Sequence, residues 1–254
     1  MKKSTKIILI IMGVIAISCT IGLAVTGMMI NWGPFRFLHS WDKDVNAITE
    51  KYSIERQEEI IFYGASNFAL WEDMEEDLNE YKVQNHAFGG STDADLLEYA
   101  DQLLYPYQPQ IVFFQTGSND YVQMSGTDEE KVAQCMENKK KMFTLFHEKM
   151  PEAHFVIMSG LLLPGRSQYL NMTLMINEEL KVYAETVDYI TFIDANDMTW
   201  DGKQYNKELF RDDMIHLNHK GALEWCKTYI KPEIERLIKE NEWNHLKKEV
   251  QLDE

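Results

Sequence analysis

The chain has 254 residues, 45% of them hydrophobic. That is enough for one domain of ordinary size with an appendage, and too apolar for disorder to be the default. A formal net charge of −16 at pH 7 argues against nucleic acid as a partner, because phosphate contacts need a basic surface. The three cysteines, Cys19, Cys135 and Cys226, form neither a C-x-x-C pair nor a Cys/His metal spacing, so no metal site is expected. Cys135 and Cys226 read as free thiols, with a single disulfide between them as the alternative.

The N-terminus opens with Lys2, Lys3 and Lys6, followed by an uncharged run over residues 7–30. These 24 residues are long enough to cross a bilayer. Basic residues before the run and no acid until Asp42 predict a cytoplasmic N-terminus and an exported remainder. The expected state is an uncleaved anchor at the cell membrane. A signal peptide cleaved to release a secreted protein, and a lipoprotein acylated at Cys19, are the competing readings. Trp32, Phe35, Phe37 and Trp41 follow, and suit a membrane–water interface or the domain beyond. Residues 31–58 are a juxtamembrane lead-in, helical from about Asp42.

From residue 59 short apolar runs alternate with amphipathic segments. The runs are 60–63, 83–88, 111–115, 155–162 and 190–193, and they predict buried strands. The segments at 93–105, 129–150, 169–187 and 221–240 carry apolar residues at helical spacing, for example Val132, Met136, Phe143 and Phe146. A further helix is expected from Asn67, through Leu70, Trp71, Met74 and Leu78. The pattern predicts an α/β domain over 59–240, with an open, mostly parallel five-stranded sheet covered on both faces. A charged tail, 241–254, ends the chain. Ligands in such folds bind beyond the carboxyl ends of the strands.

Those strand ends carry the chemistry. Strand one runs into Gly64-Ala65-Ser66, strand two into residues 85–92 with Gly89-Gly90-Ser91-Thr92, and strand three into Gly117-Ser118-Asn119-Asp120; a late loop holds Asp213-Met214-Ile215-His216. Ser66 becomes a nucleophile if a base takes its proton. His216 suits that task, since histidine titrates near neutrality, and Asp213, three residues earlier, can hold the imidazole. The backbone N–H groups of Ser66 and Gly90 and the side-chain amide of Asn119 can receive an oxyanion. Each motif alone also fits a structural role: a helix cap at Ser91 or Thr92, a turn at Asn119, a loop ion pair at Asp213 and His216. The other histidines, His86, His147, His154, His219 and His245, read as structural.

The four blocks, in this order, resemble those of the SGNH, or GDSL-type, hydrolase family of esterases and acylhydrolases, over residues 41–240. The resemblance implies a flavodoxin-like three-layer α/β/α sandwich, Ser66 as nucleophile, His216 as base, Asp213 as its partner, and an oxyanion hole of Ser66, Gly90 and Asn119. It implies no metal and no cofactor. One departure stands out: the family has Asp before the serine where this chain has Ala65, and Leu or Ile after it where this chain has Asn67. The expected activity is cleavage of short acyl esters through an acyl-enzyme, on a small-molecule, glycan or lipid substrate. An O-acyltransferase of surface glycans using the same site, and a binding module without turnover, are the alternatives. The loops 121–128, 163–169 and 196–208 are expected to line the mouth with Tyr121, Arg166, Tyr169, Trp200 and Tyr205. Arg166 would meet an anionic substrate or pair with a surface acid. Oligomeric state is not legible.

Overall fold

Five strands pair side by side in a single sheet: β1 (Ile60–Gly64), β2 (Val83–Asn85), β3 (Ile111–Gln115), β4 (His154–Met158) and β5 (Ile190–Ile193). Every pairing is parallel, in the order β2-β1-β3-β4-β5. Short apolar runs rich in Ile, Val and Phe form such strands because both faces are buried. These coordinates are a computed structural model and describe residues 40–248. The expected anchor at 7–30, with Cys19, Trp32, Phe35, Phe37 and residues 249–254, lies outside the described residues. Among the described residues no helix is long and apolar enough to cross a membrane. Asp44 begins the unit that holds the sheet, and helix α1 (Asp42–Lys51) leads into it.

Alternate strand residues face opposite layers. Ile60, Phe62, Phe113 and Val156 join one core with Phe68, Trp71, Met74, Trp225, Ile234 and Leu237. On the other face Tyr63 and Phe114 pack on Phe143 and Phe146 of helix α4 (Asp128–Lys149). The remaining elements named below are α2 (Ser66–Ala69), α3 (Asp93–Glu98), α5 (Leu170–Ala184), α6 (His219–Trp225) and α7 (Lys231–Asn241). Cys226 joins the first core and Cys135 belongs to α4 on the opposite face; both thiols are free, and burial pushes them up to about 11 and about 12.

Three expected helices are interrupted. The helix expected from Asn67 stops after one turn, because the Leu70 carbonyl accepts from the Arg211 guanidinium (2.8 Å). Trp71, Met74 and Leu78 remain buried, so the apolar spacing marks a core face without marking a continuous helix. The segment 93–105 breaks at Tyr99. In 221–240 a π-helical turn, Cys226–Ile230, joins α6 to α7. Pro232 lacks an N–H and crowds the carbonyl four residues back. The wider turn accommodates it, with the Lys231 N–H bonding to Cys226 O. Part of the charged tail is built into the fold: Leu246 is fully buried, and Lys82 N–H donates to its carbonyl at 2.8 Å.

Candidate active site

In this strand order the chain reverses direction of winding between β1 and β3, and the crevice beyond those two strand ends is where ligands bind. Ser66 leaves β1 there and Asn119 follows β3. Gly64 makes the approach possible: a Cβ at that position would lie 2.3 Å from the Gln115 carbonyl oxygen, while the next residue, Ala65, donates its N–H to the same oxygen at 3.0 Å. Ser66 then opens the single turn α2. Phe68, fully buried against Phe62 (5.1 Å) and Trp225 (5.1 Å), pins that turn to the core with about 2 to 3 kcal/mol of burial. A one-turn helix offers little dipole, so any assistance to charge at Ser66 comes from local N–H groups. Among the described residues no acceptor meets the Ser66 N–H.

His216 Nε2 lies 2.8 Å from Ser66 Oγ, and His216 Nδ1 lies 2.6 Å from Asp213 Oδ2. A carboxylate can only accept, so Nδ1 carries the proton and Nε2 presents its lone pair to the Ser66 hydroxyl. Asp213 Oδ1 also accepts from the backbone N–H groups of Ile215 (2.8 Å) and His216 (3.0 Å). Burial alone would raise its pKa. The bonds from the His216 backbone, the His216 ring and the Ile215 N–H outweigh that and hold the carboxyl at about 2. Met214, between acid and base, has φ of 58°, the left-handed region that a non-glycine residue occupies at a cost.

That loop is fastened on three sides. Asn67, one of the departures from the family pattern, accepts the Leu217 N–H at 3.1 Å and so ties the triad loop to the residue next to the nucleophile. Arg211 bridges Leu217 O and Leu70 O. Gly165, from the loop after β4, donates its N–H to Met214 O at 2.7 Å. Its own Cβ would fall 2.9 Å from Asp213 O and 3.0 Å from Met214 O.

The candidate oxyanion residues gather on Ser91. The Ser91 hydroxyl donates to Gly64 O at 3.2 Å, and Ser91 O accepts from Asn119 Nδ2 at 3.0 Å. Ser91, the residue after Gly90, therefore touches the nucleophile turn through its hydroxyl and Asn119 through its carbonyl. Gly90 itself sits at φ of 80°, a conformation that costs glycine nothing. Of the two readings for the cap, Thr92 is the one that caps α3, in a capping box with Asp95. Below lies a buried ion pair: Lys139 Nζ meets Asp93 Oδ1 at 3.0 Å, Thr116 donates to the same oxygen, and Asp93 N–H donates to Asp120 Oδ1.

The structure therefore brings Ser66, His216 and Asp213 into one hydrogen-bonded row and sets Asn119 against the carbonyl of Ser91, the residue after Gly90. Arg166 does not pair with a surface acid. It bonds to Ser118 O, Ser118 Oγ and Asn119 Oδ1 and to no acid among the described residues. Tyr121 is buried, its hydroxyl on Thr173 and its ring against Tyr169, so it supports the mouth from beneath. Trp200 and Tyr205 pack on each other. His86 is buried, with Nδ1–H donating to Leu103 O, and desolvation lowers its pKa to about 4. Among the described residues no group of three metal-ligating side chains occurs. Sequence reasoning passed over Gly165, Arg211 and the Lys139–Asp93 pair, and read Ser91 only as a candidate helix cap. For Lys139 a signal was present: it falls on the apolar face of α4, three residues from Met136 and four from Phe143.

The chain belongs to the GDSL-like lipase/acylhydrolase family, whose pattern matches residues 27–223. Among solved structures it is similar to a Bacteroides fragilis protein assigned as an acylhydrolase, with a TM-score of 0.65, 16% identity, and coverage of 79% of this chain and 99% of that one. It is also similar to a carbohydrate esterase family 3 structure from Talaromyces cellulolyticus (TM-score 0.53, 14% identity, 72% and 98% coverage). A third is the C-terminal catalytic domain of peptidoglycan O-acetyltransferase A from Streptococcus pneumoniae (TM-score 0.51, 16% identity, 69% and 92% coverage). At such identities the likeness is one of fold. No curated protein matches the sequence.

Proposed function

We propose that the protein is a membrane-anchored serine esterase whose domain faces outward and cleaves short acyl esters, acetyl above all. The observation that carries this reading is the row Asp213–His216–Ser66, with contacts of 2.6 and 2.8 Å. Ser66 Oγ attacks the ester carbonyl as its proton passes to His216 Nε2, and Asp213 stabilises the imidazolium. The negative oxygen of the tetrahedral intermediate is received by the Ser66 and Gly90 N–H groups and by Asn119 Nδ2, each such donor being worth about 100- to 1000-fold in rate. His216 returns the proton to the departing alcohol and leaves an acyl-Ser66 ester. It then takes a proton from water as the water oxygen attacks the acyl carbon, and gives that proton to Ser66 Oγ as the acyl C–Oγ bond breaks and the acid is freed. The chain needs no cofactor or metal for these steps, and its substrate is a small-molecule, glycan or lipid ester. The uncharged run at 7–30 behind three lysines supports the anchored, extracytoplasmic placement.

The test is hydrolysis of p-nitrophenyl acetate, butyrate and octanoate beside Ser66→Ala. Turnover that falls about 10⁴-fold or more in the variant supports the role of Ser66, and a profile favouring acetate supports the short-acyl reading. Equal turnover by Ser66→Ala overturns it. The likeness to a peptidoglycan O-acetyltransferase domain favours a second reading, in which a glycan hydroxyl replaces water in the second step. Acetyl transfer to an added oligosaccharide faster than release of acetate distinguishes the two.

A further inference from the structure

Arg166 is half-buried, in a chain of net charge −16, yet it has no carboxylate partner among the described residues. Arg56 and Arg236 both pair with glutamates, whereas Arg211 bonds to the Leu217 and Leu70 carbonyls. Arg166 instead spends its guanidinium on Ser118 O (3.0 Å), Ser118 Oγ (2.7 Å) and Asn119 Oδ1 (3.3 Å). Burial pushes its pKa down from the ordinary value, a cost that a neighbouring acid would offset.

The consequence falls on the Asn119 amide. Its oxygen faces the guanidinium, and its nitrogen gives one hydrogen to Ser91 O at 3.0 Å. The reversed rotamer would set the amide oxygen against the Ser91 carbonyl and the amide nitrogen against the guanidinium, two repulsions at once. One orientation remains, and in it the second N–H is free to serve the site. A cation on the amide oxygen also polarises the group and strengthens its N–H as a donor. The segment Gly165-Arg166 also bonds the acid–base loop, through Gly165 N–H to Met214 O. It thereby sets the two halves of the site in register.

Building on the esterase reading above, we propose that Arg166 is a positioning residue for the oxyanion site. Its fork fixes the Asn119 amide with Nδ2 toward the reacting carbonyl oxygen, rather than binding an anionic substrate. Arg166 acts through Asn119 and touches no reacting atom.

A double-mutant cycle on p-nitrophenyl acetate tests this. Arg166→Ala is expected to lower kcat about 10- to 100-fold, part of the loss that follows removal of a whole donor, with KM within about threefold of wild type. Arg166→Lys keeps the charge but cannot span Ser118 and Asn119 together, and is expected to recover little. In an Asn119→Ala background, Arg166→Ala is expected to cost less than about threefold, because the pair acts as a unit. Losses that multiply independently, or a loss confined to KM, overturn the proposal while leaving the esterase reading intact. If wild type turns over no ester, that reading fails by itself, and the side-chain amide signal of Asn119 in a ¹⁵N NMR spectrum decides the inference. Slow amide-proton exchange that becomes fast in Arg166→Ala supports the clamp; exchange equal in both proteins overturns it.

Discussion

Replacing Gly165 by alanine tests whether the acid–base loop is held by steric contact with the loop after β4. The added methyl would meet Ile215 Cγ1 at 2.8 Å, Asp213 O at 2.9 Å and Met214 O at 3.0 Å. Carbon and oxygen need roughly half an ångström more than this. Two of the three atoms are backbone, so no side-chain rotation relieves the contact, and the segment carrying Asp213 and His216 must withdraw. Its withdrawal also strains the Gly165 N–H bond to Met214 O, now 2.7 Å. Misplacement by 1 Å costs on the order of 100-fold in rate, so half that shift predicts a fall in kcat of about tenfold, or roughly 1.4 kcal/mol. Overpacking costs about 1 to 3 kcal/mol of stability, against about 0.4 to 1 kcal/mol regained from the stiffer unfolded chain. A small drop in Tm should therefore accompany the kinetic loss. The assay is kcat and KM on p-nitrophenyl acetate, with the rate of Ser66 labelling by a phosphonate as a second reading of His216. Wild-type kcat at wild-type Tm would show that this contact does not place the loop. A change in KM alone would refute the reasoning equally.

Removing one partner of the buried Lys139–Asp93 pair, as in Lys139→Met, should destabilise the fold by about 3 to 5 kcal/mol, because Asp93 is left buried and charged. Urea unfolding measures this, and a loss below about 1 kcal/mol would mean that water reaches the site. Asn67→Leu, which restores an aliphatic residue after the nucleophile, strands the Leu217 N–H and should cost about 1 to 3 kcal/mol, with kcat reduced. A more active variant would show that Asn67 is not a tether. Burial holds His86 at about 4 when folded, against about 6.5 when unfolded, so the unfolded chain binds more protons between those values. Stability should therefore fall as pH drops from about 6.5 to about 4, by up to roughly 1.4 kcal/mol per unit. His86→Gln should flatten that slope in pH-dependent denaturation, and an unchanged slope would locate it elsewhere. Asp213 lies at about 2, depressed from the usual carboxylate value, so its charge persists until pH falls through that range. The acid limb of kcat/KM above pH 4 should then show a single ionisation, and a two-proton slope would contradict the reading.

Local chemistry decided much of this protein within the sequence. Apolar runs such as 111–115 and 190–193 coincide with β3 and β5, since burial on both faces demands uninterrupted hydrophobic residues. The order of strands and helices called for a parallel sheet, and a parallel sheet collects the segments that follow its strands at one edge. That is why Ser66, Gly90, Asn119, Asp213 and His216 stood out together. What the sequence left undecided depends on contacts between distant residues. The helix after Ser66 ends because Arg211, some 140 residues later in the chain, takes the Leu70 carbonyl. Arg166 meets Asn119 rather than an acid, and Gly165 meets the Asp213 loop, because the loop after β4 folds back over the edge between β1 and β3. A residue's type fixes what it can donate, accept or bury; only the closed fold decided which partner lay within reach.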